Sequence, residues 1–511
     1  MRTKAGYSWL EDRYQLPVLD LWRQCYIDTA LRGRREQNLG THLTQLFEPR
    51  YQPDDTLVGH LQFALRYEGV NLQLLKLLFD SGDHAGQLCT WINDSPTSAY
   101  ARRTCFLFEW LTGAELPVAE PVPSKMRYVD LLDTEMQFAT GAVKKDTRYR
   151  INDNLPGTVD FCPLVRKTDY LKEMVGKNLR QRTQETLGRY DPDLLRRAAA
   201  FLYLKETQSS FEVEREKPSV NRAQRFADLL RQAGTGQPLT EQRLVELQHA
   251  VVDPRFHEYA WRQQQNWIGE DLGYRQQIDF VPARPEDLSQ LMQGLLDTTA
   301  KAREIIDSEN GEGGGEPRFD PVVYAASIAF GFVFIHPFMD GNGRIHRYLI
   351  HDVLANAGFT PRGIVLPVSA VILANLGEYV SVLESYSRPV RQRTEYSPDT
   401  PEVPATGNDA VYFKYFDATE QAEFLYKALE RTVEEDLQQE IDFLLGFDRA
   451  RQKLNQLLDW PNHSLELFIR LVHQNDGKLS RNKRQSHFDW MTEDEVIEAE
   501  DVVQNAFSGS H

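Results

Sequence analysis

Cysteine is scarce in this 511-residue chain. The four present, Cys25, Cys89, Cys105 and Cys162, are scattered, with no CxxC pair and no clustered histidines. That pattern excludes a disulfide frame and a zinc site, and it suits reduced packing residues in a cytoplasmic protein. Long apolar runs are also missing. None reaches the ~20 residues that a membrane span needs, and the opening MRTKAGYSWLEDRYQLPV lacks the apolar stretch of a signal peptide. Positive charge is in deficit: 58 Lys and Arg against 75 Asp and Glu leave a net charge of −17. An acidic balance of that size argues against general binding to nucleic acid or to an anionic membrane. We therefore expect neither as a partner. There is no internal repeat and no low-complexity block.

What is present is a soluble, globular composition at a length too great for one ordinary core, so two or three domains are expected. One stretch stands out. Pro321 to Ile335, PVVYAASIAFGFVFI, is almost wholly apolar. Asp320 can cap its start and Pro321 fits the first helical position. A helix apolar on every face belongs in a core. His336 ends it, Pro337 stops it, and Gly341 and Gly343 bracket Asn342 in a tight turn. Arg344 and Arg347 then lie three apart on a second helix and share a face.

These parts make an anion site. Glycines let backbone N–H groups approach an oxyanion, and a helix N-terminus adds its positive end. Two guanidiniums add permanent charge in a fork that matches phosphate oxygens. Asp340 in such a cradle calls for a cation, and Mg²⁺ bridging phosphate oxygens to a carboxylate is the expected one. His336 beside it has the chemistry to take a proton from a hydroxyl. The plainer alternative, a glycine-rich interhelical turn with solvated arginines, leaves most of these positions unexplained.

The run HPFMDGNGRIHR resembles the signature of the Fic family, His-Pro-Phe-x-Asp/Glu-Gly-Asn-Gly-Arg-x-x-Arg, without a mismatch. The resemblance implies a mostly α fold with a short β-hairpin flap, and transfer of AMP from ATP to a hydroxyl side chain of a protein. It would make His336 the base and Asp340 the metal ligand. Gly341, Asn342 and Gly343 would be the anion hole, Arg344 and Arg347 the polyphosphate contacts, and Phe338 a buried anchor.

Upstream, LLRRAAAFLYLKE (194–206) is a helix of strong formers leading into TQSSFEVEREKPS. Ser210-x-x-x-Glu214 resembles the inhibitory segment of one Fic class, placing an inhibitory helix at about 205–216. There the Glu would reach Arg347, occupy the place of a phosphate and repel the γ-phosphate of ATP. The family often has Gly or Asn after this Glu, where Arg215 stands here. An ordinary exposed helix is the alternative.

Between Trp267 and Ala283 (about 267–283), Gly269 and Gly273 mark turns, and Tyr274 to Val281 can be extended before Pro282. This resembles the Fic flap, which pairs its backbone with a segment of the target protein by β-augmentation. A flexible loop with Gly313, Gly314 and Gly315 follows. After the signature, His346 and His351 lie five apart, which is a poor spacing for shared metal ligation. In Fic relatives a Tyr-rich helix near GEYVSVLESYS helps line the nucleotide pocket, which makes Tyr379 a candidate. Ser387 stands where an Asn is sometimes used for the ribose.

The flanks are read as helical modules. Residues 1 to about 120 suggest short helices, with Leu57, Leu61 and Leu65 at fours and then Leu72, Leu75 and Phe79. Arg102 and Arg103 suggest a solvated helix face. Residues 388–409 suggest a Pro-rich exposed loop, and Leu425, Leu429, Val433, Leu437 and Ile441 a long helix. The basic patch 478–484 is short and lies in acidic surroundings. The final SGSH suggests a disordered end. The expected organisation is an N-terminal helical domain (1–190), a catalytic core (191–395) and a C-terminal helical module (396–511).

The expected protein is an AMP transferase using ATP and Mg²⁺, restrained by Glu214 and Ser210, with a target protein docked on the flap and a homo-oligomer possible as in relatives. Two rivals remain at this point. One is a Fic enzyme with another nucleotide donor, or one that removes AMP. The other is a nucleotide-regulated adaptor without transfer activity.

Overall fold

The computed structural model describes every residue except 1, 41, 120, 142, 274–275, 312–319, 362, 462 and 509–511. Tyr274, Gly313 to Gly315 and the last residues of the SGSH end thus lie outside the described residues. The fold is mostly helical, and three main apolar cores divide it.

The N-terminal module departs from the helical expectation in its first fifty residues. Strands β1 (Arg2–Ala5), β2 (Arg23–Asp28), β3 (Arg34–Asn38) and β4 (Leu43–Phe47) form a sheet in the order β1-β2-β4-β3. The β2–β4 pair is parallel and the other two pairs are antiparallel. Strand β3, RREQN, is exposed throughout, so it carries no apolar alternation that would mark it as a strand. Five helices pack on the sheet or beside it: α1 (Tyr7–Tyr14), α2 (Leu57–Tyr67), α3 (Leu72–Asp80), α4 (Ala85–Asp94) and α5 (Ala99–Thr112). Thr56, Asn71 and Ser98 cap α2, α3 and α5 with side-chain oxygens.

Arg102 on α5 is not a solvated charge. It is 2% exposed and donates to the carbonyls of Tyr149, Arg127 and Arg150. Arg103 Nε donates to Asp130 O at 2.7 Å. Both arginines tie α5 to the small sheet β5 (Val129–Asp130), β6 (Lys144–Asp146) and β7 (Ile151–Asp153), where a planar fork of donors can satisfy several carbonyls at once.

The first core closes around Leu164, and the second begins at Phe161 and runs to Leu444. Helices α6 (Asp169–Gly176), α7 (Leu179–Gly188), α8 (Pro192–Val213), α9 (Val220–Leu230) and α10 (Glu241–Val251) lead into it. A hairpin follows, β8 (Ile268–Asp271) and β9 (Gln276–Phe280), antiparallel and bulged at Ile268/Gly269. Then come α11 (Pro285–Gly311), α12 (Pro321–Ile335), α13 (Asn342–Asn356), α14 (Val368–Ala374) and α15 (Leu376–Arg393). All fifteen residues of α12 are buried, and Asp320 caps it by accepting from Val322 N and Val323 N. Helix α12 is the central post of the core, as its apolar sequence requires.

Helix α15 continues through Pro389 to Arg393, so the expected 388–409 loop begins six residues late. Burial of Val390 and Thr394 against the core holds those last turns. Helices α16 (Ala410–Lys414) and α17 (Thr419–Arg431) return to the core, and a π turn at Thr432–Asp436 joins α17 to α18 (Leu437–Leu457). Leu425, Leu429, Val433, Leu437 and Ile441 are all buried along this rod. Beyond Leu444 the rod enters a third core with α19 (Ser464–Gln474), α20 (Arg481–His487) and α21 (Glu493–Ser508). Among the described residues no single helix is long and apolar enough to cross a membrane.

Candidate active site

The turn between α12 and α13 is fixed by its own side chains. His336 ends α12 in the left-handed region (φ 57°), with its N–H donating to Phe332 O at 2.9 Å. Phe338 is fully buried beneath the turn. Asn342 closes the turn: its Oδ1 accepts from Phe338 N at 3.1 Å and its Nδ2 donates to Phe338 O at 2.7 Å. The Asn342 side chain is therefore consumed within the loop, and only its backbone is available to the anion hole expected at 341–343. Gly341 stands at φ 90°, a conformation that side chains disfavour, and starts α13. The first-turn N–H groups of α13 have no intrahelical acceptors.

One ring nitrogen of His336 is engaged and the other is free to accept a proton. Its Nδ1 bonds to Val333 O at 3.1 Å, which places the proton on Nδ1 and leaves Nε2 with the lone pair. Burial pushes its pKa down to about 4; the Val333 carbonyl works against this and the Arg262 charge works with it. The imidazole is neutral at physiological pH.

Both signature arginines are buried and surrounded by acids. Arg347 is 2% exposed. Its Nε donates to Ser210 Oγ at 2.7 Å, and its Nη2 donates to Ser210 O and Glu214 Oε1, each at 2.7 Å. Burial opposes its charge, but Glu214 beside it, with help from Tyr379, more than compensates and raises its pKa. Arg344 donates from Nη1 to Glu216 Oε2 and Val251 O, each at 2.7 Å, and from Nη2 to Asp340 Oδ1 at 2.9 Å. Its Nε faces Glu214 Oε2 at 2.8 Å as an ion pair, with the N–H poorly aligned for a hydrogen bond. A guanidinium buried this deeply is tolerable only with such partners.

The end of α8 delivers those partners. Arg215 adopts φ 57°, Arg215 N donates to Glu212 O at 2.9 Å, and Glu216 N donates to Phe211 O at 3.1 Å. These two bonds are the paired closure of a helix that stops on a left-handed residue. Gly or Asn suits that position best, which gives a physical reason for the family's preference at the place of Arg215. The reversal points Glu214 at both arginines and Glu216, on the far side of Arg215, at Arg344. Gly343 makes room: a Cβ there would stand 2.4 Å from Glu214 Oε1.

Farther up α8, Glu206 is fully buried and accepts from Ser369 N at 2.8 Å and from the Ser369 hydroxyl. His351 Nε2 meets its Oε1 at 2.8 Å. Glu206, Ser210 and Glu214, four apart, thus dock on His351, Arg347 and Arg344 of α13. His351 is a structural partner, and His346 is sealed in the core against Phe330 (4.7 Å) and Tyr379 (6.2 Å). Among the described residues no group of three or more His, Cys, Asp or Glu is gathered as metal ligands.

The structure brings Asp340, Gly343, Arg344, Arg347, Ser210 and Glu214 into one contact network. Tyr379, 5% exposed, lies near Arg347, whose charge acts on its hydroxyl. Three residues not singled out from the sequence also belong here. Glu216 holds Arg344; Glu258 and Arg262 hold the backbone of the turn. Glu216 could have been found from its place two residues past Glu214; the other two carry no local signal.

The family model described as Fic/DOC family matches residues 238–354, which contain this turn. Residues 238–354 are a Fic domain. Its Fic domain is similar to "Protein adenylyltransferase Fic" of Nematostella vectensis, 38% identical over 84 residues, 16% of this chain and 17% of that one. It is similar also to "Protein adenylyltransferase fic-1" of Caenorhabditis elegans, 33% identical over 125 residues, 23% of this chain and 21% of that one. The match thus spans about a fifth of the length of these curated relatives. A solved Fic family protein from Desulfovibrio desulfuricans G20 aligns with a TM-score of 0.35 at 18% identity, covering 66% of this chain and 86% of that one. The family assignment rests on the domain model and the sequence relatives.

Proposed function

We propose that this Fic-family chain is a protein adenylyltransferase that moves AMP from ATP onto a Ser, Thr or Tyr hydroxyl of a target protein, and that Glu214 holds it off. The observation that carries this reading is the double grip of Glu214 on Arg347 and Arg344, beside an intact signature turn. The curated relatives named as protein adenylyltransferases supply the reaction class.

In this reading the N-terminal turn of α13 and the two arginines bind the ATP polyphosphate in place of the Glu214 carboxylate. His336 Nε2 takes the proton of the target hydroxyl as its oxygen attacks the α-phosphorus. The bond to the bridging oxygen breaks and pyrophosphate leaves, its charge spread over Arg344 and Arg347. The β8–β9 hairpin aligns the target segment through main-chain pairing.

Asp340 suits a hard cation. It is a half-exposed oxygen donor at the rim of the turn, oriented through Oδ1 by Arg344 Nη2 and by Gly341 N at 2.6 Å. A lone carboxylate is the usual protein share of a Mg²⁺ site completed by phosphates and water. Mg²⁺ held there would neutralise phosphate charge. The four cysteines are unpaired thiols, in keeping with a reducing, cytoplasmic setting.

Mass spectrometry of Glu214→Gly after incubation with ATP and Mg²⁺ tests the reading. The expected result is AMP on a hydroxyl residue of the chain or of a co-incubated lysate protein. Tight ATP binding with no transfer would sink it, and release of AMP from a pre-modified protein would reverse its direction.

A further inference from the structure

Four consecutive residues of the signature turn, His336 to Met339, are each held through the backbone by one short segment, Glu258 to Asn266. Arg262 Nε donates to His336 O at 2.9 Å, and Arg262 N donates to Pro337 O at 2.9 Å. Asn266 Nδ2 donates to Phe338 O at 3.2 Å. Glu258 Oε2 accepts from Met339 N at 2.7 Å. Trp261 packs its ring 5.4 Å from Phe338.

The segment is itself anchored. Gln248 on α10, fully buried, donates to Phe256 O at 2.9 Å and accepts from Glu258 N at 3.2 Å. Arg262 is 2% exposed. Its other donors reach Gln264 O at 2.9 Å and Ala283 O, at the base of the β8–β9 hairpin. One guanidinium therefore ties the carbonyl of His336 to the foot of that hairpin. His336 needs such a tie, since a non-glycine residue in the left-handed region persists only where its surroundings hold it.

We propose that Arg262, supported by Glu258 and Asn266, is a positioning residue for transfer. It fixes His336 in the conformation that presents Nε2, and it holds the base in register with the hairpin that aligns the target. This rests on the adenylyltransferase reading. Arg262 touches neither signature arginine in the contacts that hold them, so its effect falls on turnover and not on ATP affinity. Small displacements of a catalytic group are enough to lower rates by about 10²-fold.

The test uses the full chain in the Glu214→Gly background. Arg262→Met is expected to lower kcat at least about tenfold, while KM for ATP stays within about twofold because Arg344 and Arg347 are intact. Hydrogen exchange at 336–341 should rise while exchange in α12 stays as in the parent. Arg262→Lys, which retains one donor, should recover part of kcat and of the protection. A folded Arg262→Met with parental kcat and parental exchange would overturn the proposal. Should Arg262→Met fail to fold, Asn266→Ala takes its place with the same two readouts and a smaller expected change; parental values in both would overturn the proposal too. If Glu214→Gly itself transfers nothing, the adenylyltransferase reading fails, while the exchange measurement still decides whether this segment holds the turn.

Discussion

Glu214 spans both signature arginines: Oε1 accepts from Arg347 Nη2 at 2.7 Å, and Oε2 lies 2.8 Å from Arg344 Nε. The pair forms where α8 ends on α13, with both guanidiniums buried and the Glu214 side chain 26% exposed. Removing one charged partner there changes the balance by about 1.5–3 kcal/mol. Glu214→Gly should therefore bind ATP roughly ten- to a hundredfold more tightly, measured by calorimetry. The same change leaves two buried guanidiniums short of a counter-charge. Its melting temperature should fall without nucleotide and recover with ATP. A variant that binds ATP no better than the parent would count against the restraint.

Glu216 holds Arg344 alone, at 2.7 Å, and shares its Oε2 with Arg222 at 3.0 Å. Glu216→Gln keeps the shape and removes the charge. The expected outcome is partial release: transfer activity above the parent and below Glu214→Gly, with the double substitution highest. Identical activity of Glu216→Gln and parent would show that Arg344 is not restrained by this acid.

Arg215 is the left-handed residue between those two acids. An L side chain there costs about 1 kcal/mol relative to glycine. Arg215→Gly is expected to raise the melting temperature slightly and to lower basal transfer, because the conformation that presents Glu214 becomes easier to hold. A lower melting temperature would contradict the assignment of the helix stop.

His336 should act as a neutral base over an unusually wide range. With its pKa held near 4 by burial, the acid limb of the Glu214→Gly rate profile should fall near pH 4–5 and not near 6.5. His336→Ala should lose about 10²–10⁴-fold in transfer with ATP binding nearly intact. Stability carries the same sign. Burial also holds His346 down, to about 3. Between these values and 6.5 the unfolded chain takes up protons that the folded chain refuses, so this contribution is complete above 6.5 and is lost as pH falls toward about 4 for His336 and about 3 for His346. Urea midpoints at pH 7 and pH 5 measure it. An NMR titration of His336 centred near 6.5 would refute the placement.

The signature turn was legible in the sequence because its parts are local: a cap, an apolar helix, a stop, two glycines and two arginines within one contiguous run. Ser210 and Glu214 were legible for a similar reason, since one helical turn separates them. Arg262 and Glu258 were not, because their partners are carbonyl and amide groups of a distant loop, and backbone groups leave no mark in a sequence. Arg102 misled for the same reason: a charged pair on a helix looks solvated until the three carbonyls that receive it are in view. The N-terminal sheet escaped because β3 is polar along its whole length and lies at an edge.

The knot of Glu206 with His351 and Ser369 lies two helical turns before Glu214, well inside the protein. A ligand arriving at Arg347 needs only the tip of α8 to unravel; the root stays pinned. On the proposed reading, switching amounts to fraying and rewinding one short end, with no large body to swing away and find its way back. Such a latch would take its threshold from the last turn of a single helix.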